Sequence, residues 1–124
     1  MTTRNSNFLL TGGAIGNGAV MDVQISNGLI KAIAPKIAKS ADDQVIDFSG
    51  SIILPGLVDL HTHLREPGKE DAETVLSGSM AAAKGGFVAI SAMANTSPVA
   101  DTAGVVEQVY ALRQSAGFVD VFPI

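Results

Sequence analysis

Residues 52–68, IILPGLVDLHTHLREPG, mark the point at which the character of the chain changes. A nearly continuous apolar run ends here in polar residues, as expected of a strand that is buried on both faces. Pro55-Gly56 is a bend that separates this strand from the preceding residues. The stretch therefore predicts a buried strand that carries its polar side chains at the carboxyl end.

The residues after this strand predict helices alternating with strands. Asp71 to Lys84 has helical periodicity with acidic residues in the first turn, and Gly85-Gly86 ends the helix. Its predicted apolar face comprises Ala72, Val75, Leu76, Met80 and Ala83.

A second buried strand, FVAISAM (87–93), comes next, followed by a helix that Asp101 or Thr102 can cap. Val105, Val106, Val109 and Leu112 lie at helical spacing, Gly117 follows, and a third strand begins at Val119. The order β-α-β-α-β predicts a parallel sheet with right-handed crossovers. Sites in such sheets lie at the carboxyl ends of the strands.

The residues before Pro55 predict a small antiparallel sheet. Met21, Val23 and Ile25 alternate with polar residues, and Asn27-Gly28 is a strong hairpin signal. The other predicted strands are Phe8–Ile15, Leu29–Ala34 and Val45–Phe48. The glycine-rich segment TGGAIGNG (11–18) is not followed by a capped helix, so we interpret it as a turn and not as a phosphate-binding loop.

Composition excludes several classes of function. With 47% hydrophobic and 16% charged residues, the 124-residue chain is typical of a globular protein with a core. A net charge of −4 argues against nucleic acid or an anionic membrane as the partner. Because there is no cysteine, disulfides and thiolate metal sites are excluded. The absence of a signal-peptide core or apolar span predicts a cytoplasmic location.

The chain has two histidines, His61 and His63, and they follow the buried strand. Residues two apart in a strand point to the same face, and two neutral imidazoles at a strand end suit a divalent metal such as zinc. The alternative is that each histidine is an ordinary hydrogen-bonded residue. If the strand persists, one face comprises Asp59, His61, His63 and Arg65, and the face toward the helices comprises Val58, Leu60, Thr62 and Leu64.

These residues also match a family. GLVDLHTHLREPG (56–68) closely resembles the first barrel strand of dihydroorotases, which are members of the amidohydrolase superfamily. GSMAAAKGG (78–86) and AMANTSPVADTAGVVE (92–107) resemble the same family, although many relatives carry proline where this chain has Ala94. The resemblance implies an α/β fold in which residues 1–54 form part of a flanking β-sandwich domain. Residues 55–124 would begin a (β/α)8 TIM-type barrel that needs roughly 250 residues, so the chain is expected to be an N-terminal portion.

By this resemblance, His61 and His63 are ligands of the more buried ion of a two-metal zinc centre, and Arg65 and Asn95 hold the carboxylate of the substrate. The alternative for Arg65 is a surface ion pair with Glu66 or Glu70, and Asn95 can also form an Asx-turn before Pro98. Asp59 either orients a ligand histidine or makes ordinary strand-end hydrogen bonds. Glu66-Pro67-Gly68 is interpreted as a turn.

The implied reaction is the reversible, metal-dependent hydrolysis of dihydroorotate to carbamoyl-aspartate in pyrimidine biosynthesis. A catalytic zinc needs at least three protein ligands, so no complete catalytic set lies within this chain and the remaining ligands are expected on later strands. An allantoinase, a hydantoinase or a non-catalytic assembly module remains an alternative. The substrate is the expected partner, and a homo-oligomer or another pyrimidine-pathway subunit is left open.

Overall fold

The computed structural model describes residues 6–16 and 18–124. Residues 1–5 and Asn17, the latter within the predicted glycine-rich turn, lie outside the described residues. The chain divides into two compact units, one ending at Pro55 and the other running from Gly56 to Ile124. Neither helix in the described ranges has the length and apolar character needed to cross a membrane.

The first unit contains five strands: β1 (Asn7–Ile15), β2 (Ala19–Ser26), β3 (Leu29–Ala34), β4 (Gln44–Asp47) and β5 (Ile52–Ile53). They form one sheet with the order β3-β2-β1-β4, in which β5 also pairs with β1. Asn27 (φ 51°) and Gly28 (φ 76°) connect β2 to β3, confirming the predicted hairpin.

The prediction of an antiparallel sheet is wrong for two of these strands. Strands β1, β2 and β3 pair antiparallel, whereas β4 and β5 run parallel to β1. The reason is that residues 35–43 return from the end of β3 to the opposite end of the sheet, so that Gln44 aligns with Phe8. The first unit is therefore a mixed sheet.

Two buried carboxylates hold this returning segment. Asp22 accepts hydrogen bonds from the backbone N–H of Ile37 at 2.9 Å and of Gly12 at 3.0 Å. Asp43 accepts from Ser40 N–H at 2.9 Å and from the Gln24 side-chain amide at 3.2 Å. The two hydrogen bonds to Asp22 lower the pKa of Asp22 below its ordinary value, because both stabilise the ionised carboxylate. The hydrogen bond from Ile37 has the larger effect, and the one from Gly12 follows.

This arrangement predicts acid-sensitive stability of the first unit. The pKa of Asp22 is lower in the folded state than in the unfolded state. Its contribution to the free energy of unfolding is therefore complete above the pKa of the unfolded state and is lost as the pH falls through the pKa of the folded state. Asp22→Asn should lower the melting temperature at pH 6, because each carboxylate oxygen of Asp22 accepts one hydrogen bond and an asparagine amide has only one oxygen. The melting temperature of this variant should also depend less on pH between 6 and 2, because asparagine does not ionise. Circular dichroism melts measure this, with the exposed Asp101→Asn as control; equal pH slopes for Asp22→Asn and the parent would contradict it.

The interpretation of residues 11–18 as a turn is correct only at the end of the segment. Thr11 to Ile15 belong to β1, which has a bulge between Leu10 and Gly13. Gly12 has φ +71°, and a Cβ there would lie 2.7 Å from Ser49 Oγ, so glycine permits the bulge. A strand therefore occupies most of this segment.

The elements of the second unit are β6 (Leu57–Thr62), α1 (Val75–Lys84), β7 (Phe87–Ala92), α2 (Ala103–Ala116) and β8 (Asp120–Pro123). The strands form a three-stranded parallel sheet with the order β6-β7-β8, which confirms the predicted β-α-β-α-β arrangement. Gly117, with φ +67°, ends α2 as predicted. The core comprises Leu64, Val75, Ile90, Ala92, Val109 and Val121.

Helix α1 begins at Val75, four residues after the predicted start at Asp71. Thr74 is extended and its hydroxyl accepts from Ser77 N–H at 3.0 Å, while Ser77 Oγ accepts from Thr74 N–H at 3.0 Å. In addition, a Glu66 carboxylate oxygen accepts from Val75 N–H at 2.7 Å. These caps satisfy the first N–H groups, so the acidic residues before Thr74 lie outside the helix.

The predicted apolar face of α1 is also partly wrong. Val75 and Ser79 are fully buried, whereas Leu76 and Met80 are each 49% exposed. Ser79 can be buried because its hydroxyl donates to the carbonyl oxygen of Leu76 at 3.0 Å. The buried face is therefore rotated relative to the face predicted from hydrophobicity.

Candidate functional site

The carboxyl ends of β6 and β7 lie side by side and are joined by hydrogen bonds. Met93 N–H donates to the carbonyl oxygen of Thr62 at 2.9 Å, and Thr62 Oγ1 donates to the carbonyl oxygen of Ser91 at 2.8 Å. His61 lies within the last two residues of β6, and the other predicted site residues follow the ends of β6 and β7. The parallel sheet thus brings two separate chain segments to one edge.

The predicted alternation along β6 is interrupted by a bulge. Asp59 pairs with Ile90 but Thr62 pairs with Ala92, so three steps on β6 correspond to two on β7. Leu60, predicted to pack against the helices, is 73% exposed, and Asp59 aligns with buried Ile90. The two-face alternation is predicted only if the strand persists to Arg65, and β6 ends at Thr62. The alternation therefore holds for the paired histidine rings and for buried Leu64, but not for Leu60.

The Asp59 carboxylate accepts a hydrogen bond from the backbone N–H of His61 at 3.0 Å. Asp59 also lines a cavity of about 290 Å³ together with Ala81 and Ala82 of α1 and with His63. The contact with the His61 backbone corresponds to the strand-end hydrogen bonding considered above. Asp59 thus stabilises the irregular backbone from which the His61 side chain projects.

The structure brings the rings of His61 and His63 together. Their centroids are 5.1 Å apart, the rings meet edge to face at 63°, and both residues are exposed. Neither ring is enclosed in an apolar pocket. Two accessible imidazoles at this separation can present nitrogen atoms to a common ligand.

His63 is oriented by Asn95 from the neighbouring loop. His63 Nδ1 and Asn95 Oδ1 are 3.0 Å apart. Because an amide oxygen only accepts hydrogen bonds, Nδ1 is the donor in this pairing, and a neutral imidazole bonded in this way has its lone pair on Nε2. A metal-binding histidine usually has this arrangement, in which the second nitrogen donates to an oxygen.

The side-chain oxygen of Asn95 thus contacts His63. An Asx-turn would instead require this oxygen to contact the backbone of its own loop. Because His63 contacts only the oxygen, the amide N–H groups of Asn95 can donate to another acceptor. The structure places Asn95 at the carboxyl edge of the sheet beside one predicted metal ligand.

Arg65 is half-buried and forms no ion pair with Glu66 or Glu70 within the described ranges. Glu66 binds the first N–H of α1, and Glu70 accepts from Gly68 N–H at 2.7 Å, which lowers the pKa of the Glu70 carboxyl. Both acidic groups are thus engaged by backbone donors. The alternative role of Arg65 in a surface ion pair has no support in this arrangement.

Among residues 6–16 and 18–124, no cluster of three histidine, cysteine or acidic side chains could hold a metal ion. His61 and His63 provide two of the three or more protein ligands that a catalytic zinc requires. The described residues therefore form part of a metal centre at most.

Two features of this edge were missed from the sequence. One is the Glu66 contact with α1; the other is the contact between the loops that follow β6 and β7, where Ser97 N–H donates to the carbonyl oxygen of Pro67 at 2.9 Å. The glycine at position 68 is the sequence signal for an unusual backbone at this point, and its φ in the structure is +102°.

Comparison with known proteins finds a family model and curated relatives of the dihydroorotase type. A dihydro-orotase-like family model matches residues 50–124. The chain is 51% identical over 119 residues to the dihydroorotase of Streptomyces coelicolor, covering 96% of this chain and 28% of the relative. It is 50% identical over 109 residues to the dihydroorotase of Mycobacterium tuberculosis, covering 88% of this chain and 25% of the relative. The chain thus spans about a quarter of the length of these curated relatives.

Solved structures share the fold at lower identity. The L-hydantoinase (dihydropyrimidinase) of Arthrobacter aurescens matches with a TM-score of 0.78 and 22% identity, over 94% of this chain and 27% of that protein. The D-hydantoinase (dihydropyrimidinase) of a Thermus species matches with a TM-score of 0.69 and 24% identity, over 94% and 26%. The structural likeness supports the α/β architecture. The family match to residues 50–124, which is more than half of the chain, shows that this chain belongs to the dihydro-orotase-like family.

Proposed function

We propose that the chain supplies the first portion of a dihydroorotase active site, for the metal-dependent hydrolysis of dihydroorotate to carbamoyl-aspartate and its reversal. The observation that carries this proposal is the paired imidazoles of His61 and His63, with Asn95 fixing His63, at the carboxyl edge of a parallel sheet. The 51% identity to a dihydroorotase favours this substrate over other cyclic amides. The proposed setting is pyrimidine synthesis in the cytoplasm.

The proposed metal ligands are the imidazole nitrogens of His61 and His63. The fit rests on their accessibility, on the 5.1 Å between ring centroids and on the Nδ1 contact that leaves Nε2 of His63 with its lone pair. Zinc, in a two-metal centre, suits neutral nitrogen ligands of this type. When bound, the metal lowers the pKa of a water molecule toward ~7 and polarises the amide carbonyl.

The proposed substrate-binding residues are Arg65 and Asn95. The guanidinium group of Arg65 offers a planar set of donors that matches a carboxylate, and Glu66 and Glu70 do not neutralise it. Asn95 can donate its amide N–H to the same carboxylate while its oxygen holds His63. Asn95 would thus couple the orientation of a metal ligand to the position of the substrate.

The remainder of the site is proposed to come from later barrel strands. The curated relatives are about four times as long as the matched segment, and two histidines alone cannot complete a catalytic zinc site. In this proposal, the unit ending at Pro55 is part of the flanking β-sandwich domain. Gly56–Ile124 is the start of the (β/α)8 barrel.

A chimera tests the proposal directly. Residues 1–124 are joined to the part of the Streptomyces coelicolor dihydroorotase that follows its matched segment, and activity is measured toward dihydroorotate and carbamoyl-aspartate. We expect metal-dependent activity that is lost on chelation and restored by zinc.

A second chimera carrying the matched Mycobacterium tuberculosis segment controls for the junction. If that control is active while the folded, metal-loaded chimera of this chain hydrolyses no cyclic amide, the proposal is rejected. If the chimera prefers hydantoin or allantoin to dihydroorotate, the alternative cyclic amidohydrolase assignment replaces it.

A further inference from the structure

The loops that follow β6 and β7 are tied to each other a short distance beyond Arg65 and Asn95. Ser97 N–H donates to the carbonyl oxygen of Pro67 at 2.9 Å, and Pro67 is buried. Each partner of this hydrogen bond lies two residues after a proposed substrate-binding residue. The connection therefore lies close to both side chains that the substrate carboxylate would contact.

Gly68 makes this close approach possible. Its φ is +102°, and a Cβ at this position would lie 2.0 Å from the carbonyl oxygen of Ser97 and 2.7 Å from Ser97 Cβ. The nearest obstacle is backbone, which cannot rotate away as the end of a flexible side chain can. Any larger residue at position 68 must push the two loops apart.

Each loop also contains a hydrogen bond of its own, which limits how far a displacement at the contact can be absorbed locally. Lys69 N–H donates to the carbonyl oxygen of Arg65 at 3.0 Å, closing the first loop. In the second loop, the buried Thr96 donates its hydroxyl to the carbonyl oxygen of Pro98 at 2.7 Å. A change at Gly68 is therefore transmitted to the segments that bear Arg65 and Asn95.

We propose that Gly68 and Ser97 are positioning residues that set the spacing between Arg65 and Asn95, and thereby determine how tightly a ring carboxylate is held. This inference rests on the proposed function. It assigns no contact with substrate to Gly68 or Ser97; both act through the two residues that would make that contact.

The test is Gly68→Ala in the chimera, with Gly86→Ala as the matched control. Gly86 also has a positive φ, +84°, but no atom lies within 4 Å of its added Cβ, so it reproduces the backbone strain without the loop contact. For Gly68→Ala we expect the KM for dihydroorotate to rise by ~10-fold or more with a smaller change in kcat, because binding geometry is lost. Gly86→Ala should leave KM within ~2-fold of the parent. Equal KM values for the two variants would overturn the proposal.

Hydrogen exchange of the Ser97 amide, measured on the same chimeras, separates the loop contact from its consequence. Exchange should accelerate in Gly68→Ala and stay unchanged in Gly86→Ala. Faster exchange without a change in KM would refute the positioning role. If the parent chimera shows no activity although the Ser97 amide is protected from exchange, the proposed function fails while the loop contact is present.

A double-mutant cycle identifies the residues through which Gly68 acts. If Gly68 positions Arg65, its effect on KM should largely disappear in an Arg65→Ala background, whereas additive effects would contradict the proposal. Should Gly68→Ala fail to fold, Ser97→Pro removes the N–H donor without adding a Cβ at position 68, and the same rise in KM is expected. An unchanged KM in a folded Ser97→Pro chimera would count against it.

Discussion

Replacing His63 by alanine in the chimera is expected to lower kcat/KM by more than ~100-fold and to reduce the bound metal. Loss of an outer partner of a metal ligand already costs about 10- to 100-fold, so loss of the ligand itself should cost more. The change also removes the partner of the Asn95 oxygen, which lies 3.0 Å from His63 Nδ1. Metal analysis and initial rates on the same purified sample measure both effects.

The exposed Gln108→Ala, on helix α2, controls for a truncation of similar size away from the site. It should leave metal content and kcat/KM unchanged. A folded His63→Ala chimera that keeps its metal and loses less than ~10-fold in kcat/KM would show that His63 is an ordinary hydrogen-bonded residue. That result would remove the main support for a metal centre at this edge of the sheet.

Arg65→Ala should raise the KM for dihydroorotate by about 10- to 150-fold, corresponding to the ~1.5–3 kcal/mol of a hydrogen bond to a charged group. Arg65→Lys should give a smaller rise, because a lysine keeps the charge but not the planar pair of donors. The prediction depends on the absence of an ion pair between Arg65 and Glu66 or Glu70 in the described part of the chain. Steady-state kinetics in both reaction directions measure the effect.

Arg113→Lys provides the matched control. Arg113 pairs with Asp120 and lies over the ring of Phe122 at 5.0 Å, so the change should affect stability and leave KM unaltered. Hydantoin, which lacks the ring carboxylate, provides a second comparison. If Arg65→Ala weakens hydrolysis of hydantoin as much as that of dihydroorotate, Arg65 does not recognise the carboxylate.

Local patterns in the sequence determined most of the secondary structure and the chemical character of the site. The Asn27-Gly28 turn, the strand Leu29–Ala34 and the end of α2 at Gly117 were all predicted, because each depends on neighbouring residues and on backbone preference. The order of strands and helices in the second unit predicted the parallel sheet, because consecutive strands joined by helical crossovers run parallel. The spacing of His61 and His63 likewise predicted that their rings would come together.

Features that depend on contacts between distant segments were determined only by the tertiary structure, because these contacts override the local sequence pattern. Helix α1 begins at Val75 because Glu66, nine residues earlier, adds a distant cap to the local caps made by Thr74 and Ser77. Strand β4 runs parallel to β1 because Asp22 and Asp43 hold the returning segment.

The same holds at the candidate site. The contact of Asn95 with His63 spans 32 positions, and the approach of Gly68 to Ser97 joins two loops whose separation no periodicity specifies. Hydrophobic period and turn propensity report on a residue and its neighbours along the chain. The position of a hydrogen-bond partner on another strand depends on how the whole sheet packs, so it emerges only in three dimensions.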